Sequence, residues 1–238
     1  MREIAAEVAI IQGIIANAYL VGRRESWVLV DSATPGSEGK ILRAARARFG
    51  ADSKPRAILL THGHFDHAGS APALAAHWNV PVFAHKLELP YLTGEAHYPP
   101  LDTSKPGFFS KLARFFPSST VDLSGTVREL GGAPEGWETL ETPGHTPGSV
   151  SFYRRANGVL LAGDAATTMD LDSFWGTLRK HPKVCRPPVP ATTDWEKARE
   201  SVRLLAALRP SVIAAGHGHP MHGAAEELET LARDFRIP

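Results

Sequence analysis

The residue types that could perform chemistry are concentrated in one short segment, Thr61–His67, which reads Thr-His-Gly-His-Phe-Asp-His. His62 and His64 are two residues apart, so an extended backbone directs both imidazoles to the same side. Asp66 and His67 follow within the first turn of a predicted helix. A solvated polar loop is the alternative interpretation. Histidine and aspartate are costly to bury unless they bind a metal or pair with a partner, so the segment predicts a metal site.

Three more candidate ligands each stand where a predicted strand ends. His145 lies in the turn Thr142–Gly148, which contains two Pro-Gly pairs. Asp164 and His217 each follow an apolar run. Binding sites in α/β proteins commonly lie at the carboxyl ends of strands. Each of these signals is weak alone, but together with the first segment they predict one metal site built by several strands.

With these motifs in this order, the chain resembles the metallo-β-lactamase-fold hydrolase superfamily over nearly its whole length. The family's His-x-His-x-Asp-His motif matches residues 62–67, and its later ligands match His145, Asp164 and His217. The resemblance implies two divalent metal ions, most often Zn²⁺, with iron or manganese in some members. It also implies that His62, His64 and His145 hold one ion, that Asp66, His67 and His217 hold the other, and that Asp164 bridges them.

The elements that must position these residues alternate between strands and helices. The resemblance implies an α/β fold, a four-layer αββα sandwich of two mixed β-sheets flanked by helices. We expect a single domain over residues 1–238, with irregular insertions near 97–120 and 165–192, since long irregular segments in compact domains are usually functional. Strands are predicted at 17–21, 27–31, 56–61, 80–85, 137–142, 149–153, 159–162 and 210–215, and helices at 35–49, at 66–78 and from a capping box at 193–196.

The apolar run Ile4–Val21 has two interpretations. It could be a secretory signal, or it could form two strands of the folded domain. Glu7, Gln12 and Gly13 interrupt it, and Arg2 is the one positive residue before it. These interruptions favour the two strands. The chain has no run of about 18 uncharged apolar residues, so we expect no membrane span.

Charge and cysteine content exclude other classes. The 26 basic and 25 acidic residues give a net charge of +1, which is unsuited to nucleic-acid binding without sequence preference. Cys185 is the single cysteine, so no disulfide can form within the chain. A reducing, cytoplasmic location is therefore expected. We expect Cys185 to be a loop thiol rather than a nucleophile.

The predicted chemistry is hydrolysis. Two divalent ions can share a water, lower its pKa toward neutrality and present a hydroxide to a small ester, lactone or thioester. Asp66 is the candidate catalytic residue, because a carboxylate there could orient the hydroxide or carry a proton. The resemblance disfavours antibiotic hydrolysis, since β-lactamases of this fold lack a carboxylate at Asp164, and it disfavours flavodiiron chemistry, since those proteins carry Glu at the position of His64.

Three alternatives stay open. One is an iron-dependent sulfur dioxygenase of the same superfamily, which shares several ligands. A phosphodiesterase or ribonuclease is less favoured, because such members usually need a basic surface. A binding protein without activity would require a lost ligand, and all seven are present.

Residues that could support the site or contact substrate form a second group. Asp31 could fix the tautomer of a ligand histidine, or simply be a turn residue after a strand. His85 and His219 are candidate pocket residues. The segment 107–116 has an apolar helical face that could be a lid over a small-molecule substrate, a homodimer interface or a membrane-surface helix. Its candidate pocket residues are Phe109 and Phe116.

Overall fold

A computed structural model describes residues 1–104, 121–173, 175 and 181–238. These residues form two compact units. The first comprises residues 1–98 and 121–131, and the second comprises 99–104 and the described part of 132–238. The predicted helix at 107–116, with Phe109 and Phe116, lies outside the described residues. Within the described residues, none of the helices is long and apolar enough to cross a membrane.

The first unit is built on a seven-stranded mixed sheet whose strands lie side by side in chain order. The strands are β1 (Arg2–Ala5), β2 (Val8–Ile11), β3 (Ala18–Arg23), β4 (Ser26–Val30), β5 (Ile58–Leu59), β6 (Val82–Ala84) and β7 (Val127–Glu129). Neighbours from β1 to β4 are antiparallel, and those from β4 to β7 are parallel. The apolar run near the N-terminus therefore forms three strands rather than the expected two, because a turn with Glu7 at φ 65° separates β1 from β2.

Four helices accompany this sheet: α1 (Glu38–Phe49), α2 (Phe65–Ala68), α3 (Ala71–Trp78) and α4 (Leu89–Leu92). One helix was expected over 66–78, but α2 and α3 are separate. Pro72 lies in the first turn of α3, where its missing N–H costs nothing. In a continuous helix that proline would leave the carbonyl of Ala68 without its bond and would clash with it.

An aromatic cluster fixes the two longer helices of this unit on the sheet. Trp27 of β4 stacks on Phe49 of α1, with ring centroids 4.5 Å apart. It also meets Trp78 of α3 edge-on at 5.6 Å. All three rings are buried, so the positions of α1 and α3 against β4 are set by close packing. The loops that leave β4 and β5 therefore start from a rigid frame.

The second unit contains a five-stranded mixed sheet with the order β14-β13-β10-β9-β8. Its strands are β8 (Glu138–Glu141), β9 (Val150–Arg154), β10 (Val159–Gly163), β13 (Val212–Ala215) and β14 (Met221–His222). A separate pair, β11 (Thr167–Met169) and β12 (Pro182–Cys185), lies within the segment that was expected to be irregular. Among the described residues of this unit, the α-helices are α5 (Trp195–Ala207) and α6 (Ala225–Arg233). The predicted capping box makes Thr193 the N-cap of α5, but the cap is Asp194, one residue later, which accepts a bond from the Lys197 amide at 3.0 Å. The Thr193 hydroxyl instead donates to the Gly144 carbonyl.

Candidate metal centre

In the first unit, the four predicted ligands come together after β5, His62 and His64 just before α2 and Asp66 and His67 within it. His64 has an extended backbone and is the N-cap of α2, so the chain changes from extended to helical within the motif. A ligand atom of His62 lies within 4.8 Å of one of His64 and of one of His67. The same distance limit holds between Asp66 and His67. His62 and His67 are fully buried, Asp66 is 8% exposed and His64 is half-buried. This clustering of buried imidazoles with a carboxylate is typical of a metal-binding half-site.

Asp31 lies directly behind this cluster. Its Oδ2 is 2.9 Å from Nδ1 of His67, and its Oδ1 accepts a bond from the Thr61 amide at 2.8 Å. The Thr61 hydroxyl bonds Asp31 Oδ2 at 2.9 Å and lies 3.1 Å from Nδ1 of His62. The Asp31 contact places the proton of His67 on Nδ1, which leaves the Nε2 lone pair for a metal. The sequence analysis named Asp31 for this role but missed Thr61.

A second buried carboxylate supports the same loop from another direction. Glu88, fully buried in the 3₁₀ turn Lys86–Glu88, accepts a bond from the Gly63 amide at 2.8 Å and another from the Tyr98 hydroxyl. The Tyr98 ring lies edge-on to the His64 ring, with centroids 4.5 Å apart. Burial and the neighbouring Glu88 carboxylate raise the pKa of Tyr98 well above its usual range. Neither Glu88 nor Tyr98 was predicted from the sequence.

In the second unit, Asp164 contacts both predicted histidines. Its Oδ2 lies 3.0 Å from Nε2 of His217 and 3.5 Å from Nε2 of His145. Asp164 follows β10 and His217 follows β13, and these strands are parallel neighbours that end at the same edge. Two ligand atoms about 2.1 Å from one tetrahedral ion are about 3.4 Å apart. The Asp164 oxygen is therefore spaced to share an ion with each histidine.

The turn that carries His145 is held by the start of α5. The amides of Thr193 and Asp194 both donate to the carbonyl of Gly144 at 2.9 Å. Gly144 has φ 128°, and a Cβ there would lie 2.3 Å from the backbone nitrogen of Ala198 in α5. The turn can approach the helix this closely only because residue 144 is glycine. His145 Nδ1 also lies 3.4 Å from the hydroxyl of Thr192, a residue that the sequence analysis did not select.

The two candidate pocket histidines, His85 and His219, have no contact among the described ones that assigns them a role. His85 precedes the 3₁₀ turn and its Nδ1 accepts a bond from the Leu87 amide at 3.3 Å. His219 is half-buried two residues beyond His217. A contact between either residue and substrate stays a prediction.

Cys185 is expected to be unreactive in the native protein. It lies in strand β12 rather than in the expected loop, and burial, followed by the nearby Asp170 carboxylate, raises its pKa to about 12. At pH 8 only about one molecule in ten thousand would carry the nucleophilic thiolate. Titration with a disulfide reagent such as DTNB should therefore be very slow for native protein and should reach one thiol per chain after unfolding in guanidinium. Rapid stoichiometric reaction of the native protein would contradict this assignment.

Two mixed sheets with flanking helices, and two clusters of histidine and carboxylate side chains, define the class of α/β proteins with a candidate metal centre. Residues 11–217 match the family model of the metallo-beta-lactamase superfamily. The chain belongs to this superfamily, which confirms both the predicted family and the predicted fold class.

Individual relatives agree with this assignment. The chain is 41% identical over 218 residues to the probable metallo-hydrolase YflN of Bacillus subtilis, covering 88% of this chain and 83% of that protein. It is 30% identical over 113 residues to the hydroxyacylglutathione hydrolase GloC of Haemophilus influenzae, covering 48% of this chain and 50% of that protein. The crystal structure of TTHA1623 in a di-iron-bound form superimposes with a TM-score of 0.61 and 26% identity, over 92% of this chain and 96% of that one.

Proposed function

We propose that this protein is a dinuclear metallo-hydrolase that cleaves a small ester, lactone or thioester. One observation carries the proposal: a single oxygen of the buried Asp164 lies 3.0 Å from His217 and 3.5 Å from His145. A carboxylate between two imidazoles is suited to bridging a pair of cations. The residues that would hold the ions are those implied by the family resemblance: His62, His64, Asp66, His67, His145, Asp164 and His217.

The chemistry of this donor set fits divalent transition metals. It consists of five imidazoles and two carboxylates, without a thiolate. Imidazole and carboxylate ligands suit zinc, iron and manganese alike. We propose zinc as the resident metal. The relative TTHA1623 has been crystallised in a di-iron-bound form, which keeps iron as the second choice.

When bound, the two ions would polarise the substrate carbonyl and lower the pKa of a water that attacks it. Asp66, at the start of α2 and slightly exposed, would orient that water and accept its proton. Asp31 would keep His67 in one tautomer throughout. Cys185 is not needed as a nucleophile. The choice of an acyl substrate is supported by the relative GloC, which is named a hydroxyacylglutathione hydrolase.

A sulfur dioxygenase with iron is the alternative from a different class of chemistry. Phosphodiester hydrolysis ranks below both, because the net charge of +1 offers little attraction for a polyanion. We propose that the substrate is a small molecule and that the protein acts in the cytoplasm. Formation of a homodimer stays a prediction.

Metal analysis tests the proposal. Protein purified without chelators is expected to carry close to two zinc or manganese ions per chain, to lose activity in excess chelator and to regain it when metal is restored. Activity should be measured with a panel of aryl esters, lactones, acyl thioesters and a phosphodiester. A single iron per chain, with oxygen uptake on a persulfide substrate, would favour the dioxygenase. Fewer than one ion per chain after incubation with zinc, manganese and iron would refute a dinuclear site.

A further inference from the structure

We propose that Glu88 is a positioning residue that fixes the spacing of His62 and His64 by holding the amide of Gly63, the residue between them. The proposal rests on the proposed function, because it treats both histidines as metal ligands. It concerns a carboxylate from a different part of the first unit, 25 residues along the chain from Gly63. The Tyr98 hydroxyl is a second hydrogen-bond donor to the same Glu88 carboxylate.

The cost of burying Glu88 indicates that its contacts matter. The residue has no exposed surface, and an ionised carboxylate in such a place is unfavourable unless hydrogen bonds compensate for the lost water. Its Oε2 accepts both the Gly63 amide, at 2.8 Å, and the Tyr98 hydroxyl. Hydrogen bonds to a carboxylate are shorter and roughly twice as strong as those between neutral groups. The peptide plane at Gly63 is therefore held firmly, and with it the directions in which the flanking histidines leave the backbone.

The space around Gly63 is closed by Tyr98 and Leu92. A Cβ at position 63 would lie 2.4 Å from the Tyr98 hydroxyl oxygen and 3.1 Å from Cδ2 of Leu92. Tyr98 in turn packs its ring edge-on to His64 and stacks on Tyr91, with centroids 4.1 Å apart. A side chain at position 63 would therefore have to displace the Tyr98 hydroxyl, which Glu88 holds. Glu88 and Tyr98 therefore restrain the His62–His64 pair by bonding and by close contact together.

The first experiment compares Glu88→Ala with Glu88→Gln. Substitution of residues that orient metal ligands typically lowers metal affinity by about 10–100-fold, and we expect a loss of this size for Glu88→Ala. Glutamine keeps a carbonyl oxygen that can accept from Gly63, so Glu88→Gln should retain affinity much closer to that of the native protein. Zinc affinity is measured by competition with a chromophoric chelator, and the d–d spectrum of the cobalt-substituted protein reports the coordination geometry.

The second experiment uses the contact between residues 63 and 98, and it does not depend on Glu88→Ala folding. Gly63→Ala should displace the loop and weaken zinc binding by about tenfold or more. In the double variant with Tyr98→Phe, the nearest clashing atom is gone, so zinc affinity should recover in part. Tyr91→Phe is the matched control, because it removes a hydroxyl from the neighbouring ring and should leave zinc affinity unchanged.

The outcomes separate this inference from the proposed function. If the native protein binds no zinc, the proposed function itself is refuted. A different result would overturn the positioning role and leave the hydrolase proposal intact. In that case the native protein binds two ions, and the Glu88 and Gly63 variants are folded by circular dichroism and melt at lower temperature, yet they bind zinc with native affinity.

Discussion

Replacing Asp66 with asparagine is expected to lower kcat by about two to four orders of magnitude on the best substrate found, while both metal ions are retained. The amide oxygen of asparagine can still serve as a ligand, so occupancy should change little. It cannot accept a proton at neutral pH, so the water that attacks the substrate loses its base and part of its orientation. Asp66 is 8% exposed and its Oδ2 lies 3.9 Å from Nε2 of His67, which places it beside a proposed ligand and within reach of solvent.

The measurement for Asp66→Asn combines steady-state kinetics with metal analysis of the same sample. Asp52→Asn is the matched control, because Asp52 is exposed in the turn before β5 of the same unit. Its kcat should equal that of the native enzyme. Near-native turnover by a fully metallated Asp66→Asn protein would show that Asp66 is only a ligand. Loss of metal and activity in equal proportion would point to the same conclusion.

The fold was predictable where local signals are strong. Alternating and apolar runs located β4, β5, β10 and β13, and the capping box at 193–196 located the start of α5 to within one residue. The prediction of one helix over 66–78 was wrong because Pro72 starts a new helix, α3, and ends the possibility of a continuous one. Strands β11 and β12 were not predicted, because each is short and lies in an irregular part of the sequence that gives little periodic signal.

The candidate metal ligands stand out in the sequence because their residue types and short spacing are themselves unusual. The residues that hold them in place are different, since their partners are distant in the chain. Asp31 was found because it ends a clear strand, but it contacts His67, 36 residues away. Glu88 and Thr193 contact residues 25 and 49 positions away, and nothing near either of them in the sequence points to a ligand. Only the tertiary fold brings such pairs together.

Replacing Asp164 with asparagine is expected to reduce bound zinc from two ions per chain to one or fewer, and to weaken metal binding by more than about a hundredfold. Asp164 is a proposed ligand of both ions, so its effect should exceed that of a residue which only orients a ligand. The neutral amide removes the negative charge that lies between the His145 and His217 nitrogens. It also replaces one carboxylate oxygen with an NH₂ group, which cannot ligate a cation.

Thermal unfolding with and without zinc distinguishes this loss of metal binding from simple destabilisation. Free zinc at about one hundred times Kd stabilises a native site by about 2.7 kcal/mol. For a chain of this length that corresponds to a rise in Tm of about 5 to 11 °C. Asp164→Asn should lose most of this rise, whereas Asp234→Asn, an exposed carboxylate beside Arg233 in the same unit, should keep it. If Asp164→Asn shows the full zinc-induced rise, then its oxygen does not bridge the two ions, and the spacing of His145 and His217 around it serves the fold alone.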